Sequence, residues 1–96
     1  MFKLILSSQA REDLFDIWFY IAEDSTINAD KFIDKLATKY HWLTEFPDAG
    51  VLRDDLERNL QCFPVDRYLL FYKVTDINLE LIRVLHGSRN IENLIN

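Results

Sequence analysis

Ninety-six residues, 49% of them hydrophobic and 14% aromatic with only two Gly and two Pro, exclude a disordered chain and bound the protein to one domain, residues 1–96. The net charge of −5 is spread over both halves, with 5 basic and 8 acidic residues before Pro47 and 6 and 8 after it, which weighs against broad binding of nucleic-acid phosphates. One cysteine, Cys62, excludes an internal disulfide and a cysteine-based zinc site; with no signal-type start and no apolar run near the ~18–20 residues of a membrane span, the chain reads as a cytosolic protein.

Phe2 to Leu6 is nearly all apolar and predicts a short strand. Ser7 or Ser8 then caps a helix, because a hydroxyl there accepts an otherwise orphaned backbone N–H. Ala10, Leu14, Ile17, Trp18, Ile21 and Ala22 make its apolar stripe, with Arg11, Asp13, Asp16 and Glu23 opposite, and Trp18, Phe19 and Tyr20 read as core and rim. Ser25 or Asn28 opens a second helix carrying Ala29, Phe32, Ile33, Leu36, Tyr40 and Leu43, which Pro47 stops. The short link between them predicts an antiparallel hairpin. After a turn at Pro47–Gly50, strands read as Asn59–Phe63, Arg67–Val74 and Leu79–His86, joined closely enough for a meander. The class is therefore α+β, in the order β-α-α-β-β-β with a short C-terminal helical segment.

Alternation in the third strand turns Tyr68, Leu70, Tyr72 and Val74 one way and Leu69, Phe71 and Lys73 the other. In the fourth, Leu79, Leu81, Arg83 and Leu85 oppose Glu80, Ile82, Val84 and His86. Both faces are thus apolar, and two-sided strands ask for two covers. The helical hairpin supplies one. The second face is expected to bind another chain, the alternative being that Ile91–Ile95 folds back over it.

Chemistry-bearing residues gather late in the chain. His86 and Arg89 flank Gly87 where the last strand ends, either as an exposed functional tip, with Gly87 permitting an unusual turn, or as an ordinary strand exit. Arg67 and Arg83 lie on neighbouring strands and form an anion-binding patch if the register brings them together, or pair with Asp66 and Glu80 if it does not. His41 reads as a surface residue and Cys62 as a small core residue. No phosphate-loop, zincin or nucleophile-elbow motif is present, so neither a metal nor a cofactor is expected.

Leu6-Ser7-x-x-Ala10-x-x-Asp13-Leu14-x-x-Ile17-x-x-Tyr20-Ile21, Phe46-Pro47-x-x-Gly50, Phe63-Pro64-Val65-x-Arg67-Tyr68, Phe71-Tyr72 and Arg83-Val84-Leu85-His86-Gly87-x-Arg89 follow in order across nearly the whole chain. Together they resemble the toxins of ParE/RelE-type toxin–antitoxin modules, closest to the ParE branch. The resemblance implies a helical hairpin on a small antiparallel sheet and a cognate ParD-like antitoxin as partner, with antitoxin contacts at Trp18, Arg58, Leu69 and Phe71. ParE-like members poison DNA gyrase, which would place target contacts at Arg67, Arg83, His86 and Arg89. RelE-like members cut mRNA on the ribosome. From that pattern the chain departs: Leu69 stands where those nucleases place a catalytic arginine, and the tail after Arg89 has no Tyr, His, Lys or Arg. A non-enzymatic gyrase inhibitor is therefore expected, ahead of an mRNA endoribonuclease or a degenerate antitoxin-binding module.

Overall fold

In the computed structural model, which describes residues 1–95, strand β1 (Lys3–Leu6) leads into helices α1 (Ser8–Ala22) and α2 (Thr26–Leu43). Of the paired alternatives, Ser7 and Ser25 are the caps: each hydroxyl accepts the backbone N–H three residues on, from Ala10 at 3.0 Å and Asn28 at 3.1 Å. Helix α2 ends at Leu43, short of Pro47, where the Thr44 hydroxyl donates to the His41 carbonyl; Pro47 instead opens a turn of 3-10 helix, Pro47–Ala49. Strands β2 (Val51–Leu52), β3 (Gln61–Val65), β4 (Tyr68–Val74) and β5 (Asn78–His86) follow, and helix α3 (Ile91–Ile95) closes the described chain.

The expected meander β3-β4-β5 is present, extended at both edges into a five-stranded sheet of order β1-β5-β4-β3-β2. β1 runs parallel to β5, pairing Lys3 with Asn78 and Leu6 with Leu81. β2 is a two-residue strand with no periodicity of its own to read, which is why only pairing with Gln61 and Cys62 reveals it. β3 runs two residues past its expected end, through Pro64. Beyond Cys62 no β2 residue flanks it, so the missing proline N–H forfeits no ladder bond.

Helices α1 and α2 cover one face, where Ala10, Ile17, Leu36, Tyr40, Leu43, Val65, Leu70, Tyr72, Leu79, Leu81 and Val84 are buried together. The other face is not open, contrary to the expectation of a bound chain. Leu56, Leu60, Cys62, Phe71 and Leu85 form a second buried cluster, packed against Leu69, Ile82 and the Ile91, Leu94 and Ile95 side chains of α3. The i, i+3, i+4 spacing of those three residues gives even this short helix an apolar stripe. The chain therefore covers its own second face with α3 and the 53–60 segment.

One irregularity governs the late strand. Phe71 pairs with Arg83 but Tyr72 pairs with Leu81, so Ile82 is a bulge. An extra residue reverses the alternation beyond it. Val84 consequently joins the helix-side cluster and Leu85 the second, the reverse of the sequence expectation.

Tyr72 pins the turn before β2. Its hydroxyl accepts from the Gly50 N–H at 2.9 Å and donates to the Pro47 carbonyl at 2.7 Å, and a Cβ on Gly50 would collide with that hydroxyl. Burial pushes the phenols of Tyr72 and Tyr40 above their ordinary value. The folded chain thus holds these protons more tightly than the unfolded chain. Their contribution is fully present below the free phenol pKa of about 10 and is lost as pH rises through the higher folded values. The urea midpoint is expected to fall above about pH 10, with a shallower slope in Tyr72→Phe. Identical slopes in the two proteins would refute this role for Tyr72.

Candidate functional site

The β3–β4 hairpin turns on two residues, Asp66 and Arg67, between the paired Val65 and Tyr68. Asp66 takes the left-handed conformation, φ 55°, which a short polar side chain tolerates. Its carboxylate is bridged to Lys35 of α2 at 2.8 and 3.0 Å, which fixes the turn against the helices. The Arg67 carbonyl accepts the Gly87 N–H at 2.8 Å, tying the turn to the end of β5. Gly87 has no positive φ, so the unusual turn anticipated there is absent; its contribution is that backbone bond.

These contacts shape an open cleft of about 710 Å³ between α1, the hairpin turn and the end of β5. Ile17, Ile21, Phe32 and Val84 give it an apolar floor, and Tyr20, Arg67, His86 and Arg89 stand around it. Three of the four sequence-designated target residues, Arg67, His86 and Arg89, are therefore brought together. The His86 ring lies edge-on to Tyr68 with centroids 5.1 Å apart. The Ser88 backbone N–H donates to His86 Nδ1 at 3.1 Å. Since an amide can only donate, Nδ1 accepts, and Nε2 carries the proton of the neutral ring. Two of the three acids lining the cleft are already engaged, Asp66 with Lys35 and Asp13 with Arg83. Among the described residues Arg67 and Arg89 are in no ion pair.

The fourth designated residue is a structural strut. Arg83 donates from Nε and Nη2 to both Asp13 oxygens, at 2.8 and 3.0 Å, and from Nη1 to the Leu94 carbonyl at 3.0 Å. The Asp13 carboxylate also accepts the Val84 N–H at 2.9 Å. The cause is topological. β1 stops at Leu6, so β5 has an unpaired flank beyond Leu81. Ser7 fills its start, with Ser7 N–H to the Leu81 carbonyl and Ser7 Oγ–H to the Ile82 carbonyl, and Asp13 fills the next position. Asp13, assigned to the solvent side by periodicity, is only 11% exposed at its side chain. Each of the three Arg83 nitrogens is thus engaged within the fold, and its side chain is only 15% exposed.

The residues designated for an antitoxin separate as well. Phe71 is fully buried and Leu69 half-buried in the cluster under α3, so neither is a free surface while α3 is seated. Arg58 is exposed in the 53–60 segment, and the Trp18 indole N–H donates to Asp30 at 2.7 Å. What periodicity alone missed is an aromatic patch. Phe15 and Phe19, one turn apart on α1, are 63% and 54% exposed, their rings 4.9 Å apart, with Trp18 edge-on to Phe19. Their offset from Ile17 is the available signal: at 100° per residue both point away from the core. Among the described residues no group of His, Cys, Asp and Glu is placed to hold a metal, and no helix is long and apolar enough to cross a membrane.

Comparison with known proteins agrees with this architecture. The profile of a family described as "ParE toxin of type II toxin-antitoxin system, parDE" matches residues 4–91. Toxin ParE3 of Caulobacter vibrioides is 24% identical over 92 residues, 95% of this chain and 92% of that protein. Toxin RelE2 of the same organism is 29% identical over 89 residues, 93% of this chain and 99% of that protein. Among solved structures, a chain of the chromosomal ParDE TA system from P. aeruginosa superposes with a TM-score of 0.79 at 15% identity, covering 92% of this chain and 98% of that one, a likeness of fold.

Proposed function

Because the chain belongs to the ParE toxin family of type II toxin–antitoxin systems, we propose that it arrests growth by a protein–protein contact that inhibits DNA gyrase, and that a cognate ParD-like antitoxin holds it inactive. The observation that carries the non-nucleolytic part is the environment of Leu69. The position where RelE-like nucleases place a catalytic arginine is occupied by a leucine packed in an apolar cluster beneath α3. Phosphodiester cleavage needs a base, an acid and a group that stabilises the developing charge. The side chains packed around Leu69 are apolar and provide none of them. Two arginines in no ion pair, Arg67 and Arg89, lie elsewhere, beside His86 in the cleft, which we take as the target-contacting end.

For the antitoxin, the exposed Phe15–Phe19 pair is the surface of choice. Exposed aromatics on a small domain are sites where a partner removes apolar area from water, and aromatic anchors dominate such interfaces.

The similarity to Toxin RelE2 favours a second reading, a ribosome-dependent mRNA endoribonuclease. Expression without antitoxin, following DNA and protein synthesis separately over the first minutes, divides the two. The gyrase reading expects replication to stop first and purified protein to block supercoiling. Arrest of translation first, with cleaved transcripts, would replace it with the nuclease.

A further inference from the structure

We propose that the cleft docks an acidic segment of the toxin's protein target, with an apolar side chain on the Ile17–Ile21–Phe32–Val84 floor and an adjacent carboxylate held by Arg67 and Arg89. The proposal rests on the reading of this cleft as the target-contacting end and names the chemistry it recognises.

Charge accounting around the cleft selects the ligand. Of its acids, Asp13 is held by Arg83 and Val84, and Asp66 by Lys35, which leaves Asp16 alone. Against it stand two arginines that pair with no described residue. The guanidinium fork suits a carboxylate bidentately. The positive spot is small, on a molecule of net charge −5, and the exposed Asp16 of α1 lines the cleft beside it. A nucleic-acid strand brings a phosphate with every nucleotide and would set one against Asp16. A single carboxylate beside an apolar anchor meets the arginines and stops there.

The floor points the same way. It is aliphatic with one phenylalanine, as a side-chain anchor requires, and the cleft volume lies in the range of ordinary ligand pockets. The aromatic pair Phe15 and Phe19 does not line it: with α1 turning 100° per residue they leave on the solvent side, whereas Asp13, Asp16 and Tyr20 flank the cleft. The helix thus presents two separate surfaces, which is why the cleft is given to the target and the aromatic patch to the antitoxin.

The test is a selection of random displayed 12-residue peptides on the purified toxin, followed by titration of the enriched peptides as synthetic probes. The expected result is enrichment of sequences pairing Asp or Glu with Leu, Ile or Phe. Their Kd should rise at least tenfold in the folded double variant Arg67→Glu/Arg89→Glu and stay unchanged in Phe15→Ser. Enrichment of basic or acid-free sequences, or affinity indifferent to the charge reversal, overturns the proposal. So does a single-stranded oligoribonucleotide that binds the wild type and loses binding in the double variant. Expressing that variant without antitoxin separates the two readings. Lost toxicity with no acidic preference in the selection overturns the ligand chemistry alone. Retained toxicity overturns the cleft as the target-contacting surface, and this proposal with it.

Discussion

Asp13→Ala is expected to destabilise the fold by about 2–4 kcal/mol, a loss of on the order of 10–20 °C in Tm for a domain of this size. The carboxylate meets three donors at once, Arg83 Nε and Nη2 and the Val84 N–H, with both charged side chains 15% exposed or less. Removing it strands a partly buried guanidinium and an unpaired amide on the open flank of β5, and stranding such groups costs more than forming the pair contributes. Arg83 is held charged by the same contact: its hydrogen bonds to Asp13 push its pKa further above the ordinary guanidinium value. The contrast is Lys35→Ala. Its ion pair with Asp66 is about half exposed, 53% and 49%, and water screens it, so about 0–1 kcal/mol is expected. Thermal or urea denaturation of both variants decides the matter. Equal, small losses would mean that the Asp13–Arg83 pair does not brace the sheet. A harmless Arg83 variant in cells would accordingly report a lost fold rather than a lost target contact.

Replacing the aromatic pair by Phe15→Ser/Phe19→Ser is expected to weaken antitoxin binding by on the order of 100-fold or more while leaving Tm unchanged or slightly raised. Two aromatic anchors at about 1–2 kcal/mol each, with a factor of ten per 1.4 kcal/mol, give that scale. Both rings are more than half exposed, so the fold does not depend on them. The measurement is calorimetric titration of purified antitoxin into each toxin. A change of less than about threefold would move the antitoxin surface off the solvent face of α1, and Arg58 and the β2 edge, where Val51 and Leu52 are 66% and 56% exposed, would be the next places to look.

The local elements were legible because their signals are local. Hydroxyl caps at Ser7 and Ser25, the inward stripe of α2 and the alternation of β4 each depend on residues within a turn or two, and the order strand, hairpin, meander follows from them. The convergence of Arg67, His86 and Arg89 was half-legible: their places at strand ends could be read, while the two-residue hairpin and the pairing of Tyr68 with His86 that bring them together are matters of register.

By itself, then, the sequence determined the order of β1, the two helices and the β3–β4–β5 meander, narrowed each helix cap to two residues, and carried the core stripes and the family resemblance. Tertiary structure alone decided the fate of Arg83, because a strut needs the short β1 that leaves β5 unpaired and the α1 carboxylate that fills the gap. It alone decided that α3 and the 53–60 segment cover the second face, and that Val84 and Leu85 exchange sides at the Ile82 bulge, since neither packing nor a skipped ladder position leaves a periodic trace in the chain.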